Sequence, residues 1–92
     1  MIKSFRQPEL KELFETGTAR RIDTKLHKRA LQRLTALHNA RDLRDLNIPG
    51  FELHRWKGPQ TPWSISVNGP WRILFDWIDG DAHNVELRQP HG

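Results

Sequence analysis

The sequence predicts an α+β fold, with helices packed on one face of a curved antiparallel sheet. Three observations predict it. Apolar residues in the first half recur at helical spacing. Those in the second half alternate at strand spacing. The strands of that second half are joined by tight-turn signals, Asn68-Gly69 and Asp79-Gly80, which oblige neighbours to run antiparallel.

The elements follow in order. Residues 2–6 alternate imperfectly and predict a short strand. Pro8 suits a first helical position, where its missing N–H would be unpaired anyway. Glu9 and Glu12 lie near the positive end of that helix. Leu10, Leu13 and Phe14 form one stripe, and Gly17 is placed to end the helix in the left-handed conformation. A second helix is expected over 24–39, with Asp23 as N-cap and Leu26, Ala30, Leu34 and Leu37 in one arc. Asn39 is expected to cap a short helical turn over 40–46, burying Leu43 and Leu46.

After Asn47-Ile48-Pro49-Gly50 the pattern becomes β. Phe51 and Leu53 alternate with Glu52 and His54. Trp63, Ile65 and Val67 alternate with Ser64 and Ser66. Residues 71–78 place Trp71, Ile73, Phe75 and Trp77 on one face and Arg72, Leu74, Asp76 and Ile78 on the other, which predicts an interior strand. The last strand, about 82–88, is expected to place His83, Val85 and Leu87 on the core face. The opposite sheet face would display His54, Arg72, Asp76, Asn84, Glu86 and Arg88, a surface polar enough to be either solvated or a binding face.

Composition excludes much. Ninety-two residues predict one domain over 1–92, with no room for a separate cofactor domain. The absence of Cys excludes disulfide scaffolds, thiolate zinc sites and Cys nucleophiles. No His pair has metal-ligand spacing beside a carboxylate, the six Gly form no phosphate loop, and neither a metal nor another cofactor is expected. No stretch has the length of a membrane span, and Met1 to Arg6 lacks the apolar run of a signal peptide, so no membrane association and a cytoplasmic location are expected. Fifteen Lys+Arg against eleven Asp+Glu give a net charge of +4, which favours a polyanionic partner. The densest basic cluster is Arg20, Arg21, Lys25, Lys28, Arg29 and Arg33, which is equally a solvated face and the best electrostatic footprint for RNA. The four Trp are expected to serve core and edge packing rather than base stacking.

The residues left to carry chemistry are His54, Lys57, Arg72 and His91. Each has an ordinary reading as a surface, loop or terminal side chain. Together they form a cationic set without a carboxylate dyad, which suits a phosphodiester. Imidazoles move protons near neutral pH, and Lys and Arg stabilise charge on a phosphate in the transition state. In such an RNA cleavage the ribose 2′-OH is the nucleophile, and no metal is required.

Several strings resemble HigB toxins of the RelE/ParE superfamily, the plasmid maintenance killer type. Met1-Ile2-Lys3-Ser4-Phe5 resembles their opening, and Leu53-His54-Arg55-Trp56-Lys57-Gly58 their "L-x-x-L-K-G" region. Residues 63–73 are similar to their "W-S-I-x-V-N-x-x-W-R-I" block, and Gly80-Asp81-Ala82 to the "G-D-A" that follows. The resemblance implies a RelE-like fold, with two to three helices on about four to five strands. It implies a toxin of a type II toxin–antitoxin system that acts as a ribosome-dependent mRNA endonuclease in the A site. It also implies a HigA-type helix-turn-helix antitoxin, with operator DNA bound only through the toxin–antitoxin complex. His54, Lys57 and Arg72 match family active-site positions, and His91 matches the His of a C-terminal "D-Y-H". The chain departs there, with Gln89-Pro90 replacing the acid and the aromatic ring. That departure sets a second functional reading beside the first: a RelE-fold module that binds antitoxin or ribosome with cleavage weakened or lost.

Overall fold

The computed structural model describes residues 1–57 and 62–89. Among the described residues, helices α1 (Pro8–Thr16) and α2 (Thr24–Asn39) precede a 3₁₀ turn (Leu43–Leu46) and four strands. These are β1 (His54–Arg55), β2 (Trp63–Asn68), β3 (Trp71–Ile78) and β4 (Asp81–Arg88). They form one antiparallel sheet in the order β1-β2-β3-β4, and this is the α+β arrangement expected. No helix is long and apolar enough to cross a membrane among these residues.

The core lies between the helices and one sheet face. Leu10 and Leu13 from α1 and Leu26, Ala30, Leu34 and Leu37 from α2 are buried against Ile65, Val67, Ile73, Phe75, Val85 and Leu87. Each large side chain of this kind contributes roughly 1.5–3 kcal/mol by leaving water. The local signals work as expected at Asp23, whose carboxylate accepts from the Lys25 N–H, and at Gly17, which closes α1 at φ 87°. The β3–β4 turn has positive φ at both Asp79 and Gly80, the condition a two-residue hairpin of matching twist imposes.

Four local expectations are corrected. Residues 2–6 do not form a continuous strand. They make two separate parallel bridges to β4, Ile2↔Ala82 and Phe5↔Val85. The interruption has a cause in β4, where Asn84 adopts φ 53° and the register against β3 shifts between Leu74 and Asp76. One extra β4 residue stands opposite Phe75 there, a bulge. The bulge also corrects the assignment of His83. It pairs with Asp76 and leaves the core face, while Ala82 is buried with Val85 and Leu87. The turn over 40–46 is the shorter 3₁₀ segment, capped by Asp42 and Asp45 in a capping box, and Asn39 remains inside α2. Finally, 51–53 are not strand, because Glu52 takes φ 48° and breaks the alternation, so β1 starts only at His54.

The outer edge of β4 is covered. Besides the two bridges, the Gln7 side chain donates to the Leu87 carbonyl at 2.9 Å and accepts from the Leu87 N–H at 2.8 Å. A side-chain amide thus stands in for a strand residue and protects an edge that would otherwise offer unpaired backbone groups. The four strands are left with one helix-covered face and one open face.

Candidate active site

The open face is built by register. His54 pairs with Ser64, and Ser64 with Leu74; one step along, Ser66 pairs with Arg72, and Arg72 with Arg88. Paired residues project to the same side of a sheet. His54, Ser64, Arg72, Glu86 and Arg88 therefore share the face away from the helices, as the alternation predicts.

Arg72 is the best-anchored cation on that face. Its side chain is only 15% exposed. Nε donates to the Ser64 hydroxyl at 2.7 Å, Nη2 donates to the Glu52 carbonyl, and Nη1 faces the Glu52 carboxylate at 3.6 Å. Burial lowers its pKa from the usual arginine value, and the Glu52 carboxylate opposes that shift. A guanidinium keeps its charge through the physiological range, so the result is a fixed cation in a partly dry setting. The left-handed turn at Glu52 turns its carbonyl onto the guanidinium and its carboxylate, on a 72% exposed side chain, toward Nη1.

His54 is exposed at the start of β1, and its ring makes a T-shaped contact with Trp56, centroids 4.7 Å apart at 80°. Trp56 donates its indole N–H to the same Ser64 hydroxyl at 2.7 Å. Glu52, Leu53, His54, Trp56, Pro70 and Arg72 line a cleft of about 450 Å³. An open cleft holding one imidazole and one fixed guanidinium can exchange a proton and hold an oxyanion at the same place. A smaller cleft of about 190 Å³ lies further along the face, where Glu86 pairs with Arg6 (3.7 Å) and Arg88 (3.3 Å), and Asn84 donates to Asp76 (2.8 Å).

Of the four sequence-derived candidates, the fold brings His54 and Arg72 to one cleft. Lys57 is exposed just past β1 and is not among the cleft-lining residues. His91 lies outside the described residues, as does Pro90, while Gln89 is half-buried after β4. The basic cluster divides. Lys25, Lys28 and Arg29 are exposed on α2, in the helix layer. Arg20 and Arg21 are exposed in the preceding loop, where they share a shallow cleft with Glu9 and Glu12 of α1. Arg33 does not belong to this exposed set. It is buried, its Nε donates to the Ser66 carbonyl at 3.0 Å, its Nη1 donates to Gln32, and its guanidinium lies over the Phe51 ring at 4.6 Å. A position that counts as basic strip on a helical wheel is in fact a clamp between α2 and the sheet, because the bulge between Ser66 and Asn68 offers it a carbonyl.

Sequence reasoning missed Trp56, Ser64 and Glu52. Trp63, Trp71 and Trp77 do pack against the core, but Trp56 lines the cleft. Its spacing of two from His54 is a signal for a shared face that was available. Ser64 and Glu52 carried none, because their importance depends on which residues lie across the sheet. His27 and His38 both contact backbone, at the Ile22 carbonyl and the Ile2 N–H.

Comparison with known proteins matches the chain to one family. Over 92 residues the chain is 38% identical to "Endoribonuclease HigB" of Proteus vulgaris, covering 99% of this chain and all of that protein. It is 32% identical over 94 residues to "Toxin HigB-1" of Vibrio cholerae serotype O1, covering 99% of this chain and 98% of that one. A family profile described as "RelE-like toxin of type II toxin-antitoxin system HigB" matches residues 3–91. With both relatives and the profile spanning nearly every residue, the chain belongs to the HigB-like, RelE-fold toxins of type II toxin–antitoxin systems.

Proposed function

We propose that this protein is the toxin of its system and acts as an endoribonuclease on translated mRNA in the ribosomal A site. The observation that carries the reading is the shared cleft, which pairs an accessible imidazole, His54, with a guanidinium, Arg72, held by acceptors on Ser64 and Glu52. The family and the name of the Proteus relative support it.

The chemistry follows from these groups. The ribose 2′-oxygen attacks the adjacent phosphorus, and the bond to the 5′-oxygen breaks, leaving a 2′,3′-cyclic phosphate and a free 5′-hydroxyl. One group removes the 2′-OH proton and another protonates the departing 5′-oxygen. His54 takes one of these roles and His91 the other. Arg72, with Lys57, neutralises the charge that builds on the non-bridging oxygens. Water and substrate reach the cleft through its open side. The exposed cations Arg20, Arg21, Lys25, Lys28 and Arg29 provide sequence-independent attraction to ribosomal RNA. The partner that silences the toxin is a HigA-type antitoxin, which carries any operator binding. The compartment is the cytoplasm, where the ribosomes are.

Primer extension on a translated mRNA tests the reading. Cuts that appear only with ribosomes, and disappear in His54→Ala, are expected. Gln89 and Pro90, standing where the family motif has an acid and an aromatic ring, favour the second reading of a binding module that no longer cuts. Ribosome association without any cleavage would establish that module and overturn the nuclease.

A further inference from the structure

Ser64, the second residue of β2, projects to the open side of the sheet yet sits at 0% exposure beneath the cleft side chains. A hydroxyl buried this completely is costly unless its bonds are made. Here they are made by two donors, the Arg72 Nε and the Trp56 indole N–H, each at 2.7 Å. A serine oxygen has two lone pairs, so both of its acceptor positions are taken by side chains of the same cleft. The Ser64 backbone is also the direct cross-strand partner of His54, whose ring rests edge-on against that same Trp56. One hydroxyl thus fixes the guanidinium directly and the imidazole through the indole.

We infer that Ser64 is the positioning residue of the cleft, whose hydroxyl orients Arg72 and, through Trp56, His54 for the transferring phosphoryl group. This rests on the nuclease reading. The remaining anchors of Arg72 hold Nη1 and Nη2, at the Glu52 carboxylate, the Glu52 carbonyl and, at 3.4 Å, the Ser64 backbone carbonyl, and none of them engages Nε. The Ser64 hydroxyl supplies the contact at Nε, so that all three nitrogens of the guanidinium are held when the phosphate arrives. Preorganisation of this sort acts on the chemical step more than on capture of the ribosome.

The test is single-turnover cleavage of a ribosome-bound mRNA by the purified full chain. Ser64→Ala is expected to slow the cleavage step by about 10–100-fold, as loss of an orienting partner commonly does, with half-saturation changed less than about three-fold. Ser64→Thr, which keeps the hydroxyl, is expected to recover most of the rate. In an Arg72→Ala background the further change Ser64→Ala should remove little, since its effect passes mainly through Arg72. Near-UV circular dichroism of each variant checks that the fold is retained, and Trp56→Phe gives a second cut of the same network. A Ser64→Ala protein that cleaves as fast as the wild type overturns the inference. So does a full additional loss on top of Arg72→Ala, which would mark Ser64 as structural only. A wild-type protein that binds ribosomes and cleaves nothing overturns the nuclease reading itself, and the inference falls with it; a cleaving wild type with indifferent Ser64 variants overturns the inference alone.

Discussion

Arg33 and Arg72 grip the same two elements, β2 and the 51–52 turn, and do opposite things with them. Arg33 reaches from α2, gives its Nε to the Ser66 carbonyl and lies over Phe51. Arg72 gives its Nε to the Ser64 hydroxyl and its Nη2 to the Glu52 carbonyl. Burial lowers the pKa of both, with Arg29 adding to the effect at Arg33 and Glu52 opposing it at Arg72. The difference lies in what is left over. Arg33 is occupied by protein on its stacked face and along its fork. At Arg72 the Nη1 side meets the carboxylate of an exposed side chain at 3.6 Å, a partner an incoming phosphate can displace. Arg33, bonded to a β2 carbonyl and stacked on an aromatic ring, serves the fold although its Nη1 partner Gln32 is an exposed side chain; Arg72 lines an open cleft, where its carboxylate partner can give way to a ligand.

The comparison breaks most easily at Arg72. Arg72→Ala should cut the cleavage rate by roughly 10²–10³-fold, the usual loss when one oxyanion donor is removed, measured by the rate of cleaved-end formation on ribosomes. Arg33→Ala should do the reverse. It is expected to cost roughly 1–3 kcal/mol of stability, read from the urea midpoint, because the Ser66 carbonyl and the Phe51 face lose their partner. Its cleavage per folded molecule should stay near wild type; equal losses of activity in the two variants would erase the distinction drawn here.

A weaker effect separates the exposed cations from both. Reversing Arg20, Arg21 and Arg29 to Glu should weaken ribosome association in a salt-dependent way and leave antitoxin binding intact, measured by co-sedimentation at two ionic strengths. Parallel loss of both partners would mean a shared surface. The smallest effect concerns the carboxylates Asp42 and Asp81. Hydrogen bonds to Arg44 hold Asp42 below its usual pKa, and the N-terminal ammonium does the same for Asp81. A folded pKa below the unfolded one gives stability that is present above the unfolded value and lost as pH falls through the folded one. Asp42→Asn and Asp81→Asn should each lower the melting temperature slightly at neutral pH, with the gap to wild type closing in acid. A gap that widens in acid would contradict the sign.

Much of the fold was legible because its signals are local. The stripes of α1 and α2, the Asp23 cap and the Asp79-Gly80 reversal each depend on residues within a few positions of one another. The α+β architecture and the open polar face followed from them. His54 and Arg72 were legible as well, from alternation and from the family motifs around them. What failed did so for one kind of reason. The bulge at Asn84 adds a residue to β4, and a single added residue turns His83 off the core face. Glu52 carries a left-handed backbone that no residue type there announces. Arg33 has the spacing of the basic strip and the surroundings of a core residue.

The sequence by itself determined the order of elements, the antiparallel pairing, the apolar arcs and the family, since periodicity, turn chemistry and motif are all written along the chain. Only the tertiary structure decided which charges are anchored and which are spent. Ser64 is ten residues from His54 and eight from both Trp56 and Arg72, and it becomes their meeting point solely through strand register. Hydrogen-bond partners set by register depend on where bulges fall and on which side of the sheet a helix packs. Those are properties of the assembled layers, and no window of the sequence contains them.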